Sequence, residues 1–206
     1  MKLTYIWDAY CGWCYGFESI LVPFLAAHPE LEFEFVSGGL FDQGTSLKDY
    51  PYMAEANKQI TQVYGVEFGQ AYNDLLKDGS MQLASIDAAT GFALLRDQLQ
   101  QDKWAPLAQA MQKAFYQEGR SLSDPALYQE LAETFGLDGQ AIRQAFEAAD
   151  RNPAKGHPDY QRAAELGAQS YPTLILEKDG KYYNLLAHVD GSLESLEKSF
   201  QAVLAQ

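Results

Sequence analysis

Cysteine is scarce in this chain of 206 residues, which contains only Cys11 and Cys14. A disulfide between cysteines separated by two residues closes a very small loop, so it removes little entropy from the unfolded chain. A structural zinc site takes about four Cys or His ligands, but His28, His157 and His188 are scattered along the sequence. We therefore expect no metal site and no structural disulfide, and we expect the two thiols to serve chemistry.

Positive charge is also scarce, with 15 basic against 28 acidic residues and a formal net charge of −13. Such a chain repels the phosphate backbone of nucleic acids, and no basic cluster offsets this. Long hydrophobic runs are missing, since no segment has the ~18 apolar residues of a membrane-spanning helix. The opening residues MKLTYIWDAY lack a signal-peptide pattern. We expect a cytoplasmic protein that binds neither nucleic acid nor membrane.

The composition is that of a globular protein, with 47% hydrophobic residues. Residues 2–8 are rich in β-branched and aromatic side chains and predict a strand. Apolar residues recur at helical spacing from Cys11 onward, and Pro23 within that run predicts a kink or local break. Residues 31–36 (LEFEFV) alternate between apolar and acidic side chains, which predicts a second strand. The order at the start of the chain is therefore β-α-β.

The middle of the chain, residues 41–166, shows no strand pattern and predicts several helices. The clearest lie within residues 84–99, 104–117, 121–137, 138–150 and 157–168, with Ser123 or Asp124 as the cap of the third. Strand patterns return at 172–178 and 181–189, joined by the hairpin signal Asp179–Gly180, and an amphipathic helix closes the chain.

Without its helical middle, the chain reads β-α-β and then β-β-α, the order of a thioredoxin-like fold. We therefore predict an α/β protein. Residues 1–40 and 167–206 form the thioredoxin-like domain, and residues 41–166 form an inserted all-helical subdomain.

The motif CGWC lies at the junction of the first strand and the first helix. At positions i and i+3, Cys11 and Cys14 face the same side of the first turn, close enough to bridge. Unpaired N–H groups and the helix dipole at this end stabilise a thiolate, which favours Cys11 as the nucleophile. Cys14 lies one turn deeper and is expected to be less exposed and to attack second. Between them lie Gly12 and Trp13, and we expect the indole to form an exposed apolar lip beside the sulfur.

Two carboxylates lie close to this motif. Glu18 follows Cys14 by four residues, on the same helical face. It is either a partly buried group that exchanges a proton with Cys14 or a solvated acid near a helix start. Asp8, at the end of the first strand, is a weaker candidate for the same role.

The segment QSYPTLIL contains a second candidate element, with Pro172 opening a strand where its missing N–H is not needed. In the thioredoxin topology this loop lies against the CxxC motif. A cis bond between Tyr171 and Pro172 would turn the Tyr171 backbone toward the sulfurs, where it can pair with an extended substrate. The alternative is an ordinary trans proline at a strand start.

The segments DAYCGWCYGFE, GGL and YPTLI, with the helical stretch between them, resemble the DsbA-like thioredoxin superfamily. The resemblance extends over the whole chain and is closest to the cytoplasmic branch of disulfide isomerases near the FrnE-type proteins. It implies that Cys11 is the nucleophile, Cys14 the resolving thiol, Pro172 the cis-proline and Glu18 the acidic residue that follows the motif. Gly-Trp replaces the Pro-His of DsbA, so the strongly oxidising role of DsbA is not implied.

The predicted function is therefore that of a thiol–disulfide oxidoreductase or isomerase acting on protein thiols and disulfides. Gly12, Trp13 and Tyr171 are the expected substrate-binding residues. No cofactor is implied beyond the Cys11–Cys14 disulfide itself, with glutathione as a candidate co-substrate.

Three alternatives stay open. One is a glutathione-dependent transferase or isomerase of small molecules, like the kappa-class transferases and 2-hydroxychromene-2-carboxylate isomerases, in which a serine replaces the cysteine pair. Another is a chaperone-like binding module with an apolar surface near Trp13, Tyr15 and Tyr171. The last is an iron–sulfur cluster shared with a second chain or with glutathione.

Overall fold

The computed structural model describes residues 1–42 and 45–206. Six strands and nine helices are found within these residues. In chain order they are β1 (Lys2–Trp7), α1 (Gly12–Ala27), β2 (Glu32–Ser37), β3 (Thr45–Ser46), α2 (Met53–Tyr64), α3 (Gln70–Asp78), β4 (Gln82–Leu83), α4 (Ser85–Arg96), α5 (Trp104–Tyr116), α6 (Pro125–Thr134), α7 (Gly139–Ala148), α8 (Pro158–Glu165), β5 (Thr173–Lys178), β6 (Lys181–Asn184) and α9 (Leu193–Leu204).

The main sheet has four strands in the order β2-β1-β5-β6, with β1 and β2 parallel and the other pairs antiparallel. The first strand is central, so Tyr5 is paired with Phe35 on one side and with Leu174 on the other. With α1 and α9, this sheet has the β-α-β and β-β-α order, and helices fill the interval between the halves. The prediction of an α/β thioredoxin-like fold with a helical insertion is confirmed.

The prediction of a middle region without strands is wrong at one point. Thr45–Ser46 and Gln82–Leu83 form a two-stranded antiparallel ladder. Each strand is only two residues long, which is too short for an alternating pattern to reveal it.

Two other local predictions need correction. The last strand ends at Asn184 instead of residue 189, because the Asn184 side chain accepts a hydrogen bond from the Leu186 N–H and turns the chain. Pro23 does not break the first helix, which is one element from Gly12 to Ala27, while the alternative of a kink stays a prediction. The hairpin turn between β5 and β6 is as expected, with positive φ angles at Asp179 and Gly180.

Alternation along β1 sends its side chains to two different cores. Leu3, Tyr5 and Trp7 belong to the larger hydrophobic cluster, whereas Ile6 packs in a smaller cluster on the opposite face. The larger cluster also takes in the helical segment, and the Trp7 ring meets that of Phe92 on α4 edge to face at 5.0 Å. The inserted helices of the larger cluster therefore cover one face of the sheet, and α8 contributes Ala163 to the smaller cluster on the other face. The division into residues 1–40 with 167–206 and residues 41–166 stays a prediction.

No helix among residues 1–42 and 45–206 combines the length and the apolar character needed to cross a bilayer.

Candidate active site

Cys11 occupies the N-cap position of α1, with an extended backbone (φ −85°, ψ 111°). Its N–H donates to the carbonyl of Asp8 at 2.9 Å, which fixes the turn from β1 into the helix. Only 5% of the residue is exposed. Its thiol donates a hydrogen bond to the carbonyl oxygen of Tyr171, with Sγ and O 3.4 Å apart. The sulfur therefore lies at the amino end of the helix, against the loop before β5, as the motif predicts.

Cys14, one turn along, has no exposed surface. Burial raises the pKa of its thiol well above the usual value, and a hydrogen bond with Cys11 raises it further. The backbone of Asp8 and the Tyr5 hydroxyl act in the opposite direction. Both cysteines are free thiols in this structure. The sequence-based expectation that Cys14 is less exposed than Cys11 is confirmed.

Glu18 lies in the interior on the Cys14 side of α1, and 4% of it is exposed. Burial raises the pKa of its carboxyl group well above the usual value. Its Oε1 has no hydrogen-bond partner among the described residues. The solvated alternative for Glu18 is therefore wrong, and a buried carboxyl group lies near the thiol pair.

The Tyr171–Pro172 peptide bond is cis. The Tyr171 ring lies over Gly38, where an added Cβ would come within 2.2 Å of the ring Cζ. Burial raises the pKa of the Tyr171 hydroxyl, and the nearby Gly39 backbone acts in the opposite direction. Gly38 of the GGL segment therefore leaves room for the Tyr171 ring, whose backbone carbonyl lies beside Cys11.

Gly12 and Trp13 contact α2 on the outer side of the motif. A Cβ at Gly12 would lie 2.9 Å from Cδ1 of Ile60, so glycine allows α2 to approach closely. Trp13 is 36% exposed, and its ring meets that of Tyr64 edge to face at 6.2 Å. The indole therefore forms the expected apolar lip, while the side of Gly12 where a side chain would project is filled by protein.

Asp8 ties the loop before α1 to the GGL segment. Its two carboxylate oxygens accept the N–H groups of Tyr10 and Leu40, each at 2.9 Å. Burial raises its pKa to about 6, against the lowering effect of these hydrogen bonds. Because both oxygens are used in this way, Asp8 acts as a structural tie.

Sequence reasoning missed two residues, one that contacts the loop before the motif and one that lies beside Cys14. Gln112 on α5 is fully buried, and its amide nitrogen donates to the carbonyls of Asp8 and Ala9 at 3.5 and 3.3 Å. Tyr5 on β1 places its hydroxyl beside Cys14. A glutamine in an alanine-rich helix and a tyrosine in an apolar strand carry no local signal, because their roles depend on contacts between distant segments.

The arrangement combines a nucleophile position at a helix terminus, a buried second thiol, a buried carboxyl group and a carbonyl facing the first sulfur. This set suits thiol–disulfide exchange, in which one thiolate attacks a disulfide and a second thiol loses its proton to resolve the mixed disulfide. In residues 1–42 and 45–206, no three His, Cys, Asp or Glu side chains are grouped so that they could hold a metal ion.

Comparison with protein families gives one match, to the DSBA-like thioredoxin domain over residues 3–200. The chain belongs to the DSBA-like thioredoxin domain family. The family resemblance that the motifs carry is thereby confirmed. No curated protein matched the sequence.

Among solved structures, the cytosolic disulfide reductase DsbM from Pseudomonas aeruginosa is 27% identical, with a TM-score of 0.80 over all of this chain and 99% of DsbM. A second structure of DsbM, with GSH, has a TM-score of 0.77, 26% identity and complete coverage of both chains. A proposed protein disulfide isomerase from Nitrosomonas europaea is 21% identical, with a TM-score of 0.82 over all of this chain and 98% of the other. This third likeness shows the shared fold.

Proposed function

We propose that this protein is a thiol–disulfide oxidoreductase that reduces or rearranges disulfides of protein substrates. The observation that carries the proposal is the placement of Cys11 at the amino end of α1, with its sulfur 3.4 Å from the Tyr171 carbonyl and Cys14 buried one turn along. The similarity to the disulfide reductase DsbM over the full length of both chains supports the reductive direction.

The reaction begins when the Cys11 thiolate attacks one sulfur of a substrate disulfide. A Cys11–substrate disulfide forms, and the other substrate sulfur leaves as a thiolate that takes a proton from water. Cys14 then loses its proton and attacks the Cys11 sulfur, which releases the second substrate thiol. Two electrons have passed to the substrate, and Cys11 and Cys14 are joined in a disulfide.

Glu18 is the proposed proton acceptor for Cys14. A thiol with a raised pKa, buried away from water, needs a base inside the protein to become a nucleophile. A carboxyl group whose own pKa is raised by burial is a stronger base than an exposed carboxylate and accepts this proton more readily. In the reverse direction, the protonated Glu18 returns the proton when Cys14 leaves as a thiolate.

Substrate binding is proposed at the Tyr171 loop and the Trp13 lip. An extended peptide beside the disulfide can pair with the Tyr171 backbone, in place of the hydrogen bond that the Cys11 thiol makes to the same carbonyl in this structure. The partly exposed Trp13 ring offers apolar contact to a protein chain near the sulfur. Gly12 contributes indirectly, because its lack of a side chain lets α2 pack closely behind the motif.

Glutathione is the proposed electron donor that returns the pair to the thiol state. Two glutathione molecules would reduce the Cys11–Cys14 disulfide in turn, through a mixed disulfide on Cys11, and leave as oxidised glutathione. The structure of DsbM with GSH supports glutathione as a co-substrate. A cytoplasmic location, where glutathione is kept reduced, stays a prediction that the cytosolic origin of DsbM supports.

The test is insulin reduction driven by glutathione, compared between the wild-type protein and Cys11→Ser. We expect Cys11→Ser to lower the rate to the background of glutathione alone while the variant keeps its folded circular dichroism spectrum. A folded Cys11→Ser protein with wild-type activity would overturn the proposal. Protection of unfolded chains from aggregation by the double variant Cys11→Ser/Cys14→Ser, without any disulfide exchange in the wild type, would favour the binding-module alternative.

A further inference from the structure

Strand β1 holds the Tyr5 side chain in a fixed position behind the cysteine pair. The residue has no exposed surface. Its ring meets those of Phe35 at 5.2 Å, Phe17 at 5.7 Å and Trp7 at 6.4 Å. With its ring packed on several sides in the centre of the sheet, the hydroxyl has little freedom to move.

The Tyr5 hydroxyl lies next to the Cys14 sulfur and near Glu18, which follows Cys14 by one turn of α1. Yet the Tyr5 oxygen makes no hydrogen bond of normal geometry within the described residues, and neither does Oε1 of Glu18. Buried polar atoms are almost always paired, because an unpaired one costs folding free energy. Phenylalanine would fill the same space at Tyr5 without that cost, so the hydroxyl calls for a functional explanation.

We propose that the Tyr5 hydroxyl donates a hydrogen bond to the Cys14 thiolate that forms when Cys14 resolves the mixed disulfide. This inference rests on the proposed function, since it assigns a role within the second step of that reaction. The hydroxyl is idle while Cys14 is a thiol and gains a charged acceptor when Cys14 loses its proton. Hydrogen bonds to charged groups are stronger than those between neutral groups, so the contact favours the ionised sulfur.

Tyr5 keeps its own proton throughout this step. Burial, together with the neighbouring Cys14 and Glu18, raises the pKa of the Tyr5 phenol well above its usual value. The proton from Cys14 goes to the Glu18 carboxylate, and the Cys14 sulfur forms a bond to the Cys11 sulfur as the substrate thiolate leaves. The phenol is therefore a donor to a reacting atom, and Glu18 is the base.

The test separates the two attacks in time by using 5,5′-dithiobis(2-nitrobenzoate), a disulfide whose thiolate product is coloured. In stopped flow, Cys11 releases the first equivalent of the coloured thiolate, and Cys14 releases the second when it resolves the mixed disulfide. We expect Tyr5→Phe to leave the first phase unchanged. Loss of the hydrogen bond should lower the Cys14 thiolate fraction by roughly 10- to 100-fold. Because a thiolate of higher pKa is also more nucleophilic, the second phase should slow by roughly 3- to 10-fold, and its pH profile should move to higher pH.

Tyr128→Phe is the matched control. Tyr128 is also fully buried, but its hydroxyl donates to the carbonyl of Leu122 at 2.6 Å within the helical segment. Removing that hydroxyl should lower stability and leave both kinetic phases unchanged. Tyr5→Phe should do the reverse, with stability equal to or above that of the wild type, because an unpaired polar atom is removed.

The outcomes separate this inference from the proposed function. Two phases at wild-type rates in Tyr5→Phe, or equal slowing of both phases, would overturn the role of Tyr5 while leaving the exchange reaction intact. A wild-type protein that releases no second equivalent would show that Cys14 does not resolve the mixed disulfide, and the proposed function itself would fail.

Discussion

The two cysteines lie one helical turn apart in very different surroundings. Cys11, at the amino end of α1, keeps 5% of its surface exposed, and its sulfur faces the Tyr171 carbonyl. The Cys14 sulfur is sealed in the larger hydrophobic core, beside the Tyr5 hydroxyl and on the Glu18 side of the helix. The difference between the two thiols comes from their positions along the helix and from what packs against them.

The residues that contact the two sulfurs come from different distances along the sequence. Cys11 gains its partner from the loop before β5, 160 residues away along the chain. The two groups that we relate to the Cys14 proton come from nearby in the sequence, Tyr5 from β1 and Glu18 from the same helix. We therefore expect substrates to reach the Cys11 sulfur beside the Tyr171 loop. The Cys14 proton is expected to be transferred by groups in the interior.

Removing the buried thiol of Cys14 should have the largest effect on the difference between the two cysteines. Cys14→Ser should leave Cys11 able to attack but unable to release the substrate, so a stable disulfide adduct should accumulate. Mass spectrometry of the variant after incubation with a disulfide-containing protein measures this adduct. Cys11→Ser should form none under the same conditions, and an adduct on Cys14 in that variant would mean that the roles are reversed.

Replacing Glu18 tests whether a buried carboxyl group controls the proton of Cys14. A carboxyl group with a raised folded pKa binds its proton more tightly when folded than when unfolded, so it costs stability as pH rises above its unfolded pKa of about 4.3. Glu18→Gln removes that cost. The variant should gain stability over the wild type by up to about 1.4 kcal/mol per pH unit between the unfolded and folded pKa values.

Urea unfolding of Glu18→Gln and wild type at a series of pH values measures this gain, and the second phase of disulfide exchange should slow in parallel. Glu133→Gln, at an exposed position, is the control and should change stability by less than about 0.5 kcal/mol. A difference in stability that stays constant with pH would contradict a buried carboxyl group at Glu18.

Truncating the exposed Trp13 side chain has the smallest expected effect. It tests whether the residues around Cys11 bind the substrate. Trp13→Ala loses one edge-to-face contact with Tyr64, worth about 0.5–1.5 kcal/mol. The rate with a protein disulfide should fall more than the rate with a small one such as hydroxyethyl disulfide. Rates measured side by side on both substrates give the ratio, and an equal fall would argue against a binding role for the indole.

Local sequence signals were sufficient for the parts of the site that depend on spacing. The i, i+3 cysteines, the helix start, the proline before β5 and the strand order around the helical middle all follow from nearby residues. The burial of Glu18 was undecided, because it depends on which face of α1 meets the sheet. The short β3–β4 ladder and the contacts of Tyr5 and Gln112 were missed, since each depends on pairing between distant segments.

The most direct test of the central claim is to find which sulfur reacts first. The reduced protein would be treated with a limiting amount of iodoacetamide near neutral pH, and the modified peptide would be mapped by mass spectrometry. The account predicts that the label is on Cys11 while Cys14 stays unmodified. Equal labelling of the two thiols, or labelling of Cys14 first, would contradict it.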